Sequence, residues 1–378
     1  MMVAIVHNMQ EGGARRRLSN QMAHMTCDTV EICLESAAPI TSGAIIVPFR
    51  RRAPLRSRLF RPPLRYIDLA ALAHAWRRAA RPIRESGAEV VFLNPCRYLQ
   101  APAVVLERIP PALYFCDETR RVDTEPAARA TRQGPTTPIY APMYAAERCL
   151  DRLAASRAAR WATNSHYTAS EIDRVYHRTA EVVTMGVAES LLSATERRPP
   201  GSNLLSVGAL VQGKGHDLAL RSIALTARRR PLTVVAPRPE PDEESRLRAL
   251  AAELGLDMDL RVGITDAELG ELYETAQATL YLAQREPLGL VSLEAQACGC
   301  PVIVSDEGGL PETIVDGVTG WKTPRDPAQV ARIIDLLEDG ATRENASAAA
   351  AAHARRWNWP ASASAIDRLL DEVRSGLG

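Results

Sequence analysis

The strongest constraint on the fold is an alternation of short apolar runs with segments whose apolar residues recur at helical spacing. The strand-like runs include MVAIVHN at 2–8, EVVFLNP at 89–95, NLLSVGAL at 203–210 and PVIVSD at 301–306. Between them, segments such as 67–86 and 216–229 have the periodicity of amphipathic helices. Such an alternation predicts α/β units built around parallel sheets.

The length of the chain predicts two domains. At 378 residues it exceeds the size that one hydrophobic core normally organises. The polar stretch ATERRPPGSN at 194–203 is typical of a linker. We therefore predict an N-terminal domain over 1–197, a C-terminal domain over 198–359 and a last helix over 360–378.

Composition and charge exclude several classes of protein. A net charge of +1 gives no overall field that would favour nucleic acid as a partner. No apolar run approaches the roughly 20 residues that span a bilayer, and the N-terminus lacks a signal-peptide pattern, so a cytoplasmic protein is expected. The seven cysteines lack paired C-x-x-C spacing and fit reduced thiols better than disulfides or a zinc site.

The segment QREPLGLVSLEAQACG at 284–299 predicts an anion site. A strand at 278–283 leads into a loop at 285–289 and then a helix at 290–297. The free N–H groups and the positive dipole end of such a helix bind a diphosphate well. Gly289 would let a ligand approach the backbone closely.

Two glutamates flank this helix start. Glu286 precedes the helix, whereas Glu294 lies inside it among apolar neighbours, where a carboxylate needs a polar partner. Helical side chains tilt toward the N-terminus of their helix, which directs Glu294 toward the same end of the helix as Glu286. The spacing leaves two interpretations: both carboxylates bind one polyol ligand, or Glu294 forms an internal salt bridge while Glu286 lies on the surface.

The stretch REPLGLVSLEAQACGCPVIVSDEGGLPE at 285–312 closely resembles the E-x7-E signature of retaining glycosyltransferases of family 4. NLLSVGALVQGKGHDLALRSIAL at 203–225 and VGITDAELGELYETA at 262–276 are also similar to that family. The resemblance covers most of 150–378 and is weaker before it. It implies the α/β GT-B fold, with two Rossmann-like α/β/α domains facing an interdomain cleft and the last helix packing back on the first domain.

The resemblance implies a donor site for a nucleoside diphosphate sugar. Glu286 would bind hydroxyls of the sugar, Glu294 the ribose and Lys214 the leaving phosphates, whose growing negative charge an ammonium group stabilises. A solvated turn lysine remains the alternative for Lys214. The other residues assigned to donor binding are Gly12, Gly13, Gly208, Ile264, Leu288, Gly289, Leu290 and Val291.

The implied reaction is a metal-independent transfer of a hexosyl group, with retention of configuration, from a UDP- or GDP-sugar to a hydroxyl of a glycan, lipid or small metabolite. No cofactor is expected beyond this co-substrate. The sequence Asp257-Met258-Asp259 matches the D-x-D motif of metal-dependent GT-A enzymes, and we interpret it as a coincidence. A nucleotide-sugar-binding protein with little or no transferase activity is the main alternative, and an epimerase of the same fold is another.

Two positions depart from the family pattern. Ala209 stands where the family usually has an arginine, and Arg15 or Arg285 are candidates to replace that cation. Asp117 stands where many relatives carry a histidine, just ahead of Glu118. We predict either that Asp117 acts as a base or hydrogen-bond acceptor in catalysis, or that it caps the following turn.

The arginine-rich run RRRAPLRSRLFRPPLRY at 50–66 has two interpretations. It is either a basic and apolar face for an anionic membrane or charged acceptor, or an exposed loop with solvated arginines. Its prolines argue against a long amphipathic helix. The first interpretation predicts weak peripheral contact with the inner membrane face through Arg50–Arg65.

Overall fold

The computed structural model describes residues 1–50, 61–125, 129–130, 137–192 and 201–376. The chain divides into two compact units. Unit 1 consists of Met1–Thr184 and Trp359–Gly378, and unit 2 consists of Met185–Asn358. The predicted domain boundary, between 197 and 198, lies outside the described residues.

Unit 1 is built around a parallel sheet. Its strands are β1 (Met2–Asn8), β2 (Asp28–Leu34), β3 (Ile45–Val47), β4 (Val90–Cys96), β5 (Ala112–Phe115), β6 (Arg160–Thr163) and β7 (Glu181–Val182). They lie in the order β3-β2-β1-β4-β5-β6-β7. Every residue of β4 is buried, as expected for a parallel sheet covered on both faces.

Unit 2 contains a second parallel sheet. Its strands are β8 (Leu204–Val207), β9 (Leu232–Ala236), β10 (Met258–Val262), β11 (Ala278–Tyr281), β12 (Val302–Ser305) and β13 (Gly320–Thr323). Their order is β10-β9-β8-β11-β12-β13. Two parallel α/β units confirm the predicted fold class.

Helices cover the sheets. In chain order they are α1 (Gly13–His24), α2 (Arg61–Glu85), α3 (Arg121–Thr124), α4 (Thr137–Ser156), α5 (His166–Tyr176), α6 (Glu189–Leu192), α7 (His216–Ile223), α8 (Pro241–Leu254), α9 (Asp266–Thr275), α10 (Leu290–Ala297), α11 (Pro327–Leu336), α12 (Gly340–Ala354) and α13 (Trp359–Arg374). In unit 1, α1 packs against α13, while α2 packs against α4. The right-handed rule for crossovers between parallel strands predicts that α1 and α2 lie on opposite faces of the sheet, because the steps from β1 to β2 and from β3 to β4 run in opposite directions across it. Across the described residues, no helix combines the length and apolarity that crossing a bilayer requires.

Helix α2 corrects one expectation about the arginine-rich run. The prolines of that run suggested a loop, but α2 begins at Arg61 and includes Pro62 and Pro63. Proline is tolerated in the first turn of a helix, because the missing N–H group has no helical partner there in any case. The rest of the run, 51–60, lies outside the described residues.

Candidate functional site

The loops that carry Lys214 and Glu286 follow two adjacent strands of unit 2. Strand β8 is followed along the chain by β9 on one side, whereas β11 is followed by β12 on the other, so the strand order reverses between β8 and β11. Ligands of open parallel sheets bind outside the carboxyl ends of the strands at such a reversal. Lys214 lies in the loop after β8 and Glu286 in the loop after β11.

Lys214 and Glu286 form an ion pair. The ammonium Nζ of Lys214 donates to Oε2 of Glu286 at 2.7 Å. Their side chains are 23% and 16% exposed, so the pair is partly exposed to solvent. The sequence assigned them to different parts of one ligand, and the structure places them in direct contact.

The two loops are held together by backbone contacts. The N–H of Gln284 donates to the carbonyl of Gly213 at 2.7 Å. Gly215 has a left-handed φ of 89°, and a Cβ there would lie 2.3 Å from the carbonyl oxygen of Leu282. A side chain at 215 would therefore push the two loops apart. No role was predicted for Gly215 from the sequence, although its place directly after Lys214 was a signal.

A buried histidine shapes the loop that carries Lys214. His216 Nδ1 lies 2.8 Å from the hydroxyl of Ser206, and its Nε2 lies 3.2 Å from the carbonyl of Ala209. Burial lowers the pKa of His216, so the neutral ring is favoured. Because a carbonyl only accepts, Nε2–H donates to Ala209, and Nδ1 accepts from Ser206. The imidazole thus fixes the turn on which Lys214 is carried.

Helix α10 begins at Leu290, as predicted. Gly289 is its N-cap residue with φ 109°, and no side chain caps the helix. A Cβ at this position would lie 2.4 Å from Cδ2 of Leu310 and 3.0 Å from the ring of Tyr281. Packing within the protein therefore already requires glycine here, before any ligand is considered. Leu288, the residue before it, is buried.

Glu294 lies inside α10 and is only 7% exposed. The hydroxyl of Tyr273, on α9, donates to its Oε2 at 3.4 Å. Burial raises the pKa of Tyr273 well above its ordinary value, so the phenol keeps its proton and stays a donor. The polar partner that the sequence analysis expected for Glu294 therefore includes a tyrosine.

Two further glycines support the loop of Glu286. A Cβ at Gly308 would lie 2.3 Å from the carbonyl oxygen of Glu286, and one at Gly309 would lie 2.1 Å from that of Pro287. The N–H of Gly309 also donates to the carbonyl of Glu286 at 2.8 Å. No role was predicted for Gly308 and Gly309 from the sequence, although two consecutive glycines were a visible signal.

The remaining donor-side residues lie in both units. In unit 2, a methyl group at Gly208 would make only ordinary contacts with Lys214 and His216, and Ile264 precedes α9 and packs partly against the core. Leu290 and Val291, the first residues of α10, are partly buried. In unit 1, exposed glycines at 12 and 13 lie at the start of α1.

The two arginines suggested as substitutes for the cation missing at Ala209 differ in position. Arg285 lies next to Glu286 and has a left-handed φ of 47°. Arg15 belongs to unit 1, where its guanidinium donates to the carbonyls of Ala38 and Pro39 at 3.0 and 2.5 Å. Arg285 is therefore the candidate that shares the loop of the site.

Asp117 is the counter-ion of a buried arginine. Arg17 Nε donates to its Oδ1 at 3.0 Å, and Nη2 donates to Oδ2 at 2.8 Å. The same guanidinium donates to Asn94 and Gln21 and lies 3.8 Å above the ring of Phe115. Neither predicted role for Asp117, catalytic acceptor or turn cap, included this partner. A bidentate pair engages both oxygens that a base or a sugar-hydroxyl acceptor would use.

The D-x-D sequence lies away from Lys214 and Glu286. Asp257 immediately precedes β10 and Asp259 lies near its start, so both are at the amino edge of a sheet whose carboxyl edge carries the two loops. Asp259 pairs with Arg261 at 2.8 Å. This position agrees with interpreting the motif as a coincidence.

One cluster of metal-type side chains occurs within the described part of the chain. It consists of His7, Glu31 and Cys33, all buried in unit 1. Burial alone would raise the pKa of Glu31, but hydrogen bonds from His7, Ile40 and Thr41 outweigh it and lower that pKa to about 2. Burial raises the pKa of the Cys33 thiol to about 11, so it remains protonated. His7 and Glu31 are hydrogen-bonded to each other and the Cys33 thiol keeps its proton, so a metal ion would have to displace both the hydrogen bond and the proton.

Known proteins resemble the chain in sequence. Residues 193–353 match the family model described as Glycosyl transferases group 1. A D-inositol 3-phosphate glycosyltransferase of Thermobispora bispora is 33% identical over 241 residues, covering 57% of this chain and 56% of that protein. Its counterpart in Acidothermus cellulolyticus is 34% identical over 189 residues, covering 47% and 42%. The chain spans about half the length of these two relatives.

Solved structures resemble the whole chain. A sucrose-phosphate synthase from Thermosynechococcus elongatus superposes with a TM-score of 0.76 at 17% identity, covering 99% of both chains. Anabaena Alr3699/HepE in complex with UDP gives 0.73 at 16% identity, covering 98% of this chain and 100% of that one. Identities this low establish the fold alone. The chain therefore has the GT-B fold, and its residues 193–353 match the Glycosyl transferases group 1 model.

Proposed function

We propose that the protein is a retaining glycosyltransferase that transfers a sugar from a nucleoside diphosphate sugar to an acceptor hydroxyl. The observation that carries the proposal is the pairing of Lys214 with Glu286 beside the N-terminus of α10, at the strand reversal of unit 2. In support, this arrangement lies inside the segment that matches the Glycosyl transferases group 1 model. An accessible ammonium, an accessible carboxylate and a helix N-terminus are the groups that a sugar diphosphate needs.

On donor binding, the ion pair between Lys214 and Glu286 breaks, and each side chain binds a different part of the donor. The ammonium of Lys214 turns to the diphosphate, together with the first N–H groups of α10 at Leu290 and Val291. The carboxylate of Glu286 then accepts hydrogen bonds from sugar hydroxyls. Glu294 accepts from the ribose hydroxyls, and Tyr273 keeps its carboxylate oriented.

The chemical step breaks the bond between the anomeric carbon and the phosphate oxygen. The anomeric carbon gains oxocarbenium character while negative charge grows on the diphosphate, and Lys214 with the helix N-terminus stabilises that charge. The acceptor oxygen attacks from the same face, and its proton passes to the departing phosphate oxygen. Because these groups supply the positive charge, we propose a metal-independent reaction.

The donor that we place first is a UDP-sugar, followed by a GDP-sugar. Support comes from the structural neighbour Alr3699/HepE, which has been solved with UDP and with UDP-glucose. For the acceptor, the names of the sequence relatives make inositol 3-phosphate the first compound to test. Glycans and lipids with free hydroxyls are the next classes.

The test combines a donor screen with a product assay. Thermal shift with UDP-, GDP-, ADP- and dTDP-sugars is expected to identify the donor, because a ligand that binds the native state raises the unfolding temperature. Mass spectrometry then detects product or donor hydrolysis, and NMR of the anomeric proton reports retention. Glu286→Gln is expected to abolish turnover, and the matched control Glu253→Gln, at an exposed glutamate of α8, to leave it unchanged. Intact turnover in Glu286→Gln contradicts the assignment.

A nucleotide-sugar-binding protein without transferase activity is the second candidate. It is favoured by Ala209, which lacks a cationic side chain, and by Asp117, whose carboxylate is committed to Arg17. Titration calorimetry separates the two functions. Donor binding without product across the acceptor panel supports the binding protein, whereas product formation rules it out.

A further inference from the structure

Helix α4 of unit 1 presents an apolar stripe to solvent. Its exposed residues Ile139, Pro142, Ala146, Cys149 and Leu153 follow one another at intervals of three and four positions. Side chains at this spacing lie on one side of a helix. Ile139 is 55% exposed and Leu153 is 46% exposed. A helix of a water-soluble domain normally turns such a stripe toward the core.

The acidic residues of α4 are turned away from this stripe. Glu147 accepts from Arg120 at 3.3 Å, and its side chain is only 20% exposed. Asp151 is buried and accepts from the hydroxyl of Tyr176 at 2.7 Å. Both carboxylates are therefore used inside unit 1. Neither contributes an exposed negative charge next to the stripe.

The exposed charges of α4 are positive. Along 138–156, the charged residues with exposed side chains are Arg148 and Arg152. At 100° per residue they lie along one border of the apolar stripe. The outward face thus combines apolar side chains with a flanking row of guanidinium groups, the pattern of a helix that lies in the surface of a membrane.

We propose that α4 docks unit 1 on an anionic lipid surface. The stripe from Ile139 to Leu153 lies at the boundary of headgroups and acyl chains, and Arg148 and Arg152 bind lipid phosphates. A second copy of the chain fits this face less well. Packing two such stripes together would bring four arginines close to one another, with no exposed acid on the helix to compensate.

The residues that carry this proposal differ from those of the arginine-rich run at 50–66. That run contains the arginines of 51–61, whereas α4 carries its own arginines about ninety residues later in the chain. The two segments can therefore be tested by separate substitutions. The inference also stands apart from the transferase proposal, because membrane docking requires no turnover.

Vesicle flotation of the full chain tests the proposal. The wild-type protein is expected to float with phosphatidylglycerol vesicles at low salt and to remain in the bottom fraction of the gradient with phosphatidylcholine vesicles. Arg148→Ala with Arg152→Ala is expected to lower the partition coefficient about 25-fold, since each arginine near an anionic surface contributes about five-fold. Ile139→Asp with Leu153→Asp is expected to abolish flotation.

Matched controls come from unit 2. Leu225 is 58% exposed, so Leu225→Asp places the same charge at an exposed apolar position elsewhere. Arg221→Ala with Arg332→Ala removes two exposed arginines in the same way. Both control variants are expected to float as the wild type does. Circular dichroism melts verify that every variant is folded.

Cys149 supplies an independent readout on the stripe itself. Of the cysteines in the described residues, Cys149 is exposed, while Cys27 is intermediate and the others are buried. Burial raises the pKa of Cys27 to about 12, so its thiol reacts slowly and Cys149 is labelled selectively. An environment-sensitive fluorophore on Cys149 is expected to shift to the blue with phosphatidylglycerol vesicles, and not in the double arginine variant.

Three results would overturn the proposal. The first is no flotation of the wild type on anionic vesicles at low salt. The second is loss of flotation only when the arginines of 51–61 are replaced. The third is a dimer, seen by light scattering, that the Ile139 and Leu153 substitutions dissociate, because the stripe would then be an interface between two copies.

Discussion

The buried carboxylate of Glu31 predicts a specific dependence of stability on pH. Its Oε1 accepts from His7 Nε2 at 2.8 Å and from the N–H of Ile40 at 2.7 Å, and its Oε2 accepts from the N–H and the hydroxyl of Thr41 at 2.7 and 2.8 Å. The N–H of Met9 donates to Nδ1 of His7, so the proton of the neutral ring is on Nε2, facing Glu31. Four donors thus converge on one carboxylate and favour its charged form.

The size of the effect follows from the lowered pKa. Despite the opposing effect of burial, the donors lower the pKa of Glu31 from its ordinary value of 4.5 to about 2. At 1.36 kcal/mol per pH unit, this difference corresponds to about 3 kcal/mol of stability. Because the folded-state pKa lies below the unfolded one, this stability is present above about pH 4.5 and is lost as the pH falls toward about 2.

The assay compares Glu31→Gln with the wild type by urea unfolding at pH 7, 5 and 3.5. Carboxylates distant from Glu31 titrate equally in both proteins, so the difference in unfolding free energy reports on Glu31 together with its hydrogen-bond partner His7. The variant is expected to be about 3 kcal/mol less stable at pH 7, and the difference is expected to shrink at pH 3.5. A difference that is below about 1 kcal/mol at pH 7, or that does not change with pH, refutes this account.

Three further predictions concern the two units. Arg17→Met is expected to lower the free energy of unfolding, measured in urea, by about 3–5 kcal/mol, because it leaves Asp117 as a buried charge without its partner. Arg17→Met combined with Asp117→Leu is expected to lower it less, and a double variant as unstable as the single one contradicts this prediction. Gly289→Ala is expected to lower the free energy of unfolding by about 1–3 kcal/mol, because the backbone there is left-handed and the new Cβ would lie 2.4 Å from Leu310. The control Gly340→Ala, whose Cβ would have no atom within 4 Å, is expected to leave stability unchanged, and equal melting temperatures for the two variants contradict the prediction. Lys214→Gln is expected to weaken binding of a nucleoside diphosphate about ten- to a hundredfold in titration calorimetry, because a charged hydrogen bond is lost. Lys322→Gln is the matched control, and equal affinities of the two variants argue against a phosphate-binding role for Lys214.

Local patterns were sufficient to predict the strands and helices around the candidate site. The helix at 290–297 was predicted with the bounds that the structure has, because a loop with glycine and a following apolar segment are neighbours in sequence. The two parallel sheets followed from the alternation of strands and helices along the whole chain. The start of α2 at Arg61 was missed, because prolines suppress a helix in its interior but not in its first turn.

Contacts between distant segments were not predictable from one sequence. Arg17 and Asp117 are a hundred positions apart, so no local pattern could link them, and Asp117 was considered without the partner that engages both of its oxygens. The same holds for Gly308 and Gly309, whose tight contact with Glu286 and Pro287 arises only when β12 lies beside β11.

The sequence by itself determined the α/β fold class, the position of α10 and the presence of Lys214, Glu286 and Glu294 near loops and a helix start. These features depend on periodicity and on neighbours along the chain. Only the tertiary structure decided that Lys214 pairs with Glu286, and that α4 turns its acids inward and its apolar stripe outward. Those outcomes depend on which segments the sheets bring together, because the partner that satisfies a buried charge is chosen by proximity in space.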